Sequence, residues 1–168
     1  MRGVVVESDE SPPLGFAEFF AREHLRLGRA IYVLTGDRDE AEELVQDALA
    51  RAYERWDQVA RMSEPAGYVY RIASNLHRRR MRRRRRPVPV ATSPGQIDPS
   101  EAIDRDSDLW DALATLTREQ REAIVLVELL GYDAEAAAKV LGIQPSSVRV
   151  RVHRARAKLR QILGGNDV

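Results

Sequence analysis

The sequence predicts an all-α protein built as two small helical domains joined by a flexible linker. Three observations carry this expectation. Apolar residues recur at three- and four-residue spacing through most of the chain, which is the period of an amphipathic helix. A proline-punctuated stretch without periodicity, PVPVATSPGQIDPS at residues 87–100, interrupts them. A chain of 168 residues divided there leaves two parts, each with a modest core. The expected division is a flexible arm at 1–14, a helical domain at 15–86, a linker at 87–104, a second helical domain at 105–163 and a tail at 164–168.

The first element spans Phe16 to Leu34, with Phe16, Phe19, Phe20, Leu27, Ile31 and Leu34 at near-helical spacing, and Thr35–Gly36–Asp37 breaks it. The second runs from Asp39 to Trp56. Ala41, Leu44, Val45, Ala48, Leu49, Ala52, Tyr53 and Trp56 form its apolar side, while Glu42, Glu43, Gln46, Asp47, Arg51 and Glu54 lie opposite. Residues 57–63 lack periodicity and read as a loop, and Glu64 with Pro65 suits the opening of a third helix. That helix has a core face of Tyr68, Val69, Ile72, Ala73 and Leu76. Arg71 and Asn75, four apart, are neighbours on one side. Its end carries eight arginines between Arg78 and Arg86, which repel one another unless a polyanion or an acidic partner takes up the charge; nucleic acid is the default partner. The helix is expected to fray before Pro87.

Beyond the linker, Leu109, Trp110, Leu113 and Leu116 are at helical spacing. Thr117 then reads as an N-cap, with Gln120 completing a capping-box pattern. A helix from Arg118 to about Leu130 packs Ile124, Val125, Val127 and Leu130 and ends at Gly131. Asp133 to Leu163 then has the outline of a helix-turn-helix DNA reader. Ala137, Ala138, Val140 and Leu141 pack closely, Gly142 permits a turn of positive φ, and Pro145 and Ser146 suit a helix start. Val148, Val152, Ala155, Leu159 and Ile162 form one stripe of the last helix, which places Ser146, Arg149, Val150, His153 and Arg154 on its outer side.

The formal net charge is only +1, from 27 basic and 26 acidic residues, but the charges are segregated: acids precede Glu64 and return at 97–111, whereas arginines crowd 77–86 and the last helix. The electrostatic footprint is therefore a local basic patch. With no cysteine, a disulfide framework and a thiol nucleophile are excluded, and a reducing cytoplasm fits. No stretch approaches the roughly 20 apolar residues of a membrane span, and the opening MRGVVVESDESPPLG has no apolar core of signal length.

Taken together and in order, LTGDRDEAEELVQDALARAYERW, EPAGYVYRIASNLHRRRMRRR, the linker, LATLTREQREAIVLVELLGY and AAAKVLGIQPSSVRVRVHRARAKLR resemble the extracytoplasmic-function (ECF) sigma factors, the smallest members of the bacterial sigma-70 class. The resemblance implies a region-two domain for the minus-ten promoter element and a region-four domain for the minus-thirty-five element. It implies no catalytic activity, no cofactor and no metal. By match to the family's motifs, Asp39, Glu43, Gln46 and Asp47 would dock on the clamp helices of the polymerase beta-prime subunit, with the beta flap as a further contact of the polymerase. Ala60, Arg61, Met62 and Ser63 would form the loop that captures a flipped base, and Tyr68, Arg71, Asn75, Arg78 and Arg79 would contact the minus-ten element. Ser146, Ser147, Arg149, Val150, His153 and Arg154 would face the minus-thirty-five element. An anti-sigma protein is a common partner in the family. Three residues depart from the family pattern: Arg79 stands where aspartate is frequent, Val150 where a polar residue is frequent, and Ala136 where isoleucine is usual.

Two other readings compete. An autonomous helix-turn-helix repressor or activator would use residues 16–76 for dimerisation or sensing. An enzyme acting on nucleic acid is disfavoured, because His24, His77 and His153 are scattered and no carboxylate pair has a metal-site spacing.

Overall fold

The structure, a computed structural model, describes residues 15–84 and 107–164. The expected arm at 1–14, the fraying before Pro87, the linker at 87–104 and the tail beyond Gly164 lie outside the described residues. Among the described residues eight α-helices follow one another: α1 Phe16–Thr35, α2 Arg38–Tyr53, α3 Trp56–Val59, α4 Pro65–Arg84, α5 Ser107–Ala114, α6 Arg118–Ile124, α7 Ala134–Leu141 and α8 Pro145–Leu163.

Their ends follow from local chemistry. Gly36 leaves α1 with φ 71° and its N–H donates back to the Tyr32 carbonyl. The Asp37 carboxylate then accepts from the Glu40 N–H and caps α2. Thr117 and Gln120 form the expected capping box at the start of α6. Asp133 caps α7 by accepting from the Ala136 N–H, and Gly142 ends it at φ 68°. Pro145 occupies the first turn of α8, but Gln144 is the N-cap and no side chain caps that end, so Ser146 does not play the part expected of it.

Two elements depart from the sequence reading. Trp56 does not end α2; the chain turns at Glu54–Arg55 and Trp56 opens the short α3, so the expected loop at 57–63 begins with a helical turn. The Trp56 ring packs against Phe16 and Phe19 at 5.2 and 4.8 Å, and tertiary contact thus determines where this residue sits. The expected helix from Arg118 to Leu130 changes at Val125 into a π-helical turn, Val125–Leu129, in which the Leu130 N–H reaches the Val125 carbonyl at 3.1 Å.

The core does not stop at the domain boundary. Phe19, Leu27, Ile31, Leu44, Val69 and Tyr70 of the N-terminal half form one buried cluster with Leu126, Val140, Val148 and Val152 of the C-terminal half. A smaller cluster of Leu113, Leu116, Ile124 and Ala155 packs against Val33, Trp110 and Leu159. The rings of Tyr32 of α1 and Trp110 of α5 pack with centroids 4.4 Å apart and planes tilted by 54°, so the two halves of the chain meet along a continuous seam.

Candidate functional site

Helix α4 carries most of the candidate chemistry and divides it between faces. At about 100° per residue, Arg71, Asn75, Arg78 and Arg82 fall on one stripe with Tyr68 and Arg79 at its edge. All but the half-buried Tyr68 are exposed. His77, Arg80 and Arg84 fall on nearly the opposite side and turn toward α2. There Arg80 meets Glu43 at 2.9 Å and Asp47 at 3.9 Å, Arg84 meets Glu40 at 3.3 Å, and His77 Nδ1 lies 3.1 Å from the buried Glu40 carboxylate. The arginine run thus finds part of its acidic partner within the chain. Of the four expected docking residues, the structure ties Glu43 and Asp47 to α4, whereas Asp39 and Gln46 are exposed and Gln46 donates to Glu42 at 3.2 Å.

Ala60 caps the end of α3, and Arg61, Met62 and Ser63 follow as an exposed turn closed by the Met62 N–H on the Val59 carbonyl at 3.0 Å. Ser63 and Glu64 border a cavity of about 210 Å³ whose other walls include Phe19, Arg22 and Arg26 from α1 and Leu130 and Tyr132 from the C-terminal half.

The second candidate surface is α8. Its apolar stripe is buried at Val148, Val152 and Ala155 and half-buried at Leu159 and Ile162. Ser146, Arg149, Val150, His153 and Arg154 are exposed on the other side, and Ser147 is half-buried. Val150 is an apolar residue 46% exposed in this basic surface. Arg149 pairs with Glu135 of α7, a contact the sequence did not show because it crosses between helices. Arg156 pairs in the same way with Glu128.

Sequence reasoning missed the buried polar residues of the seam. Glu122, 6% exposed, accepts from Ser74 Oγ at 2.9 Å and from Arg118 Nε at 3.0 Å, and Arg118 also reaches the Ser74 carbonyl at 3.3 Å. The i,i+4 spacing of Arg118 and Glu122 was a readable signal, but its third member was not. Burial first, and then the Glu122 carboxylate, holds the Tyr70 phenol well above its usual range. Burial, followed by the Glu64 carboxylate, pushes Tyr132 up to about 12.

In chain order, then, a basic stripe beside an acid-faced helix is followed by a basic helix-turn-helix. The model of sigma-70 region 2 matches residues 19–87 and that of sigma-70 region 4 matches residues 107–159. The chain belongs to the sigma-70 family. Within it, the ECF RNA polymerase sigma factor EcfG of Rhodopseudomonas palustris (strain TIE-1) is 34% identical over 139 residues, covering 77% of this chain and 75% of the relative. The ECF RNA polymerase sigma factor SigM of Mycobacterium tuberculosis (strain ATCC 25618 / H37Rv) is 30% identical over 157 residues, covering 89% and 77%. Among solved structures, the sigma factor RpoE in complex with the anti-sigma factor NepR from Bartonella quintana matches with a TM-score of 0.72 and 29% identity, covering 90% of this chain and 98% of that one. CnrH in complex with the cytosolic domain of CnrY shares the fold at a TM-score of 0.61. In this sigma factor, region two contains α1 to α4 and region four contains α5 to α8. No helix among the described residues is long and apolar enough to cross a membrane.

Proposed function

We propose that this ECF-type factor acts in the cytoplasm as a non-catalytic specificity subunit, carrying core RNA polymerase to promoters and nucleating strand opening. The observation that carries the reading is the division of α4. Its outward stripe of Arg71, Asn75, Arg78 and Arg79 is open to DNA, while Arg80 and Arg84 turn to the acids of α2. Asn75 and Arg71 can address base edges, and the arginines hold phosphates. The turn at Ala60, Arg61, Met62 and Ser63 receives a base withdrawn from the stack, at a cost of a few kcal/mol. Binding the flipped base and its neighbouring phosphates offsets that cost, so melting follows from preference for the open strand without ATP.

Region four binds the minus-thirty-five element through Ser146, Ser147, Arg149, Val150, His153 and Arg154. Val150 can meet a thymine methyl. Asp39, Glu43, Gln46 and Asp47 dock on the beta-prime clamp helices, where complementary charge favours orientation and encounter rate, and the beta flap is a further polymerase contact. RpoE of Bartonella quintana was solved with an anti-sigma factor, and a protein of that type is the partner expected to hold this factor when no signal is present.

The test is transcription from a supercoiled promoter with purified core polymerase. Specific initiation that depends on the added factor supports the reading; tight binding to a duplex operator with no initiation would make it an autonomous regulator. Within that assay, Arg149→Ala or Arg154→Ala is expected to weaken recognition of the minus-thirty-five element by about 1–3 kcal/mol where a bidentate base contact is lost, with binding to core polymerase retained. Unchanged promoter binding in both variants would remove those arginines from the DNA surface.

A further inference from the structure

The outer face of α8 carries two exposed arginines in different states. Arg149 is tied through Nη2 to the Glu135 carboxylate of α7, whereas Arg154 has no hydrogen bond or ion pair among the described residues. The paired side chains are 60% and 58% exposed, and an exposed ion pair adds little to stability. Helices α7 and α8 are already joined in the core through Ala137, Ala138, Val148 and Val152, so the pair is not what holds them together.

A carboxylate on this surface works against affinity for DNA. The first helix of a helix-turn-helix crosses the DNA backbone, and Glu135 stands in the first turn of that helix, where it repels phosphates. The macrodipole favours an acid at such an end, but the capping Asp133 already supplies one. What Glu135 can still add is selectivity.

The geometry shows how. A free arginine loses much rotameric freedom when a base fixes it, and it can settle on a phosphate instead. A guanidinium held at one nitrogen has lost that freedom beforehand. It carries five N–H donors in one plane, of which Glu135 engages Nη2. The others still offer a fork to the O6 and N7 acceptors of guanine.

Position along α8 agrees. Arg149 opens the second turn of the helix, and the N-terminal residues of a recognition helix are those that reach base edges. Arg154 lies about 7.5 Å further along the axis. Arg156 makes the same kind of pair, with Glu128, but about 10 Å beyond Arg149, which makes that pair an internal control.

We propose, resting on the sigma function put forward above, that Glu135 is a specificity-determining positioning residue: it holds the Arg149 guanidinium toward a guanine of the minus-thirty-five element, while the unheld Arg154 binds phosphate.

The test uses holoenzyme reconstituted from core polymerase and the full-length factor. Its probe is a duplex library of the promoter used in the transcription assay above, randomised over the minus-thirty-five element. Sequencing the bound DNA gives the preference at every base pair, and affinities are then measured on the selected duplex and on one mismatched at the guanine. Wild type is expected to prefer that guanine by about 5- to 150-fold, the range of one bidentate contact. Arg149→Ala should abolish the preference, whereas Arg154→Ala should weaken every sequence alike and leave the preference in place.

Glu135→Ala is expected to cut the preference at the same base pair by about three- to tenfold. The mismatched duplex should meanwhile bind about two- to fivefold more tightly, because a negative charge has left the surface. Glu135→Gln keeps an oxygen for the Nη2 donor and should fall between wild type and Glu135→Ala; it carries the same comparison if the alanine variant melts early. In an Arg149→Ala background, Glu135→Ala should change the preference no further. Glu128→Ala should leave every preference as in wild type.

A Glu135→Ala factor that keeps the full preference would overturn the assignment. So would one that sharpens it, since the carboxylate would then be drawing Arg149 away from DNA. An equal loss with and without Arg149, or a base preference that disappears in Arg154→Ala and survives in Arg149→Ala, would overturn it as well. Wild-type holoenzyme that neither initiates nor prefers any base in the element would overturn the sigma reading, and the positioning role with it.

Discussion

Reversing charge at Glu43 and Asp47 together, to lysine, is expected to reduce affinity for core polymerase by about ten- to hundredfold, since like charges set against each other across an interface cost several kcal/mol. The side chains are 66% and 57% exposed and lie on the polar side of α2, so the fold has little stake in them. What the fold does lose is their pairing with Arg80, and an exposed ion pair contributes at most about 1 kcal/mol. A pull-down or fluorescence titration with core polymerase, paired with a thermal melt, separates the two effects. Native affinity in the double variant would remove this face of α2 from the docking surface. A collapse of the melting temperature would mean that Arg80 holds α2 against α4 more firmly than exposed charges do.

The second large effect is on stability. Leu27 is completely buried in α1, in the cluster that joins both halves of the chain, whereas Leu25, two residues away, is 63% exposed. Leu27→Ala should destabilise by about 2–5 kcal/mol, the transfer loss plus the cavity left behind, and lower the melting temperature by roughly 5–15 °C for a chain of this size. Leu25→Ala should stay within about 0.5 kcal/mol. Equal melting temperatures for the two variants would contradict the continuous core described above.

That core shows where a linear reading succeeds and where it stops. Helix identity was written in local pattern. The Thr117–Gln120 capping box, the Gly142 turn and the alternation of Val148, Val152 and Ala155 all depend on residues within a turn or two of one another, and the structure has each of them. The break after Tyr53 was not readable, because Trp56 continues the apolar stripe of α2 in sequence and leaves it only to reach Phe16 and Phe19. The π-helical turn at Val125–Leu129 has no composition signal, since Val, Leu and Glu suit an ordinary helix equally well.

The candidate surfaces were legible to the same extent. A basic run and an acidic face could be seen separately, with the residues of each. That Arg80 and Arg84 answer the acids of α2 required knowing that α2 and α4 pack side by side. The close approach of region four to Gly67 was invisible for a similar reason: the glycine's lack of a side chain matters only against Val140 and Tyr132, more than sixty residues away in the chain.

The pairs between α4 and α2 also bear on how binding responds to salt. An arginine that meets a phosphate from bulk solvent releases a cation from the DNA, and each such contact steepens the fall of affinity with ionic strength by about 0.9 in logarithmic slope. Arg80 and Arg84 begin instead beside Glu43 and Glu40. If either moves to a phosphate, the carboxylate it leaves can gather a cation of its own, and the net release is close to nil. The carboxylates of α2 behave as counterions carried within the protein. On the proposed function, the salt sensitivity of DNA binding is expected to follow the outward arginines of α4 and α8, and to be shallower than a run of eight arginines would lead one to expect.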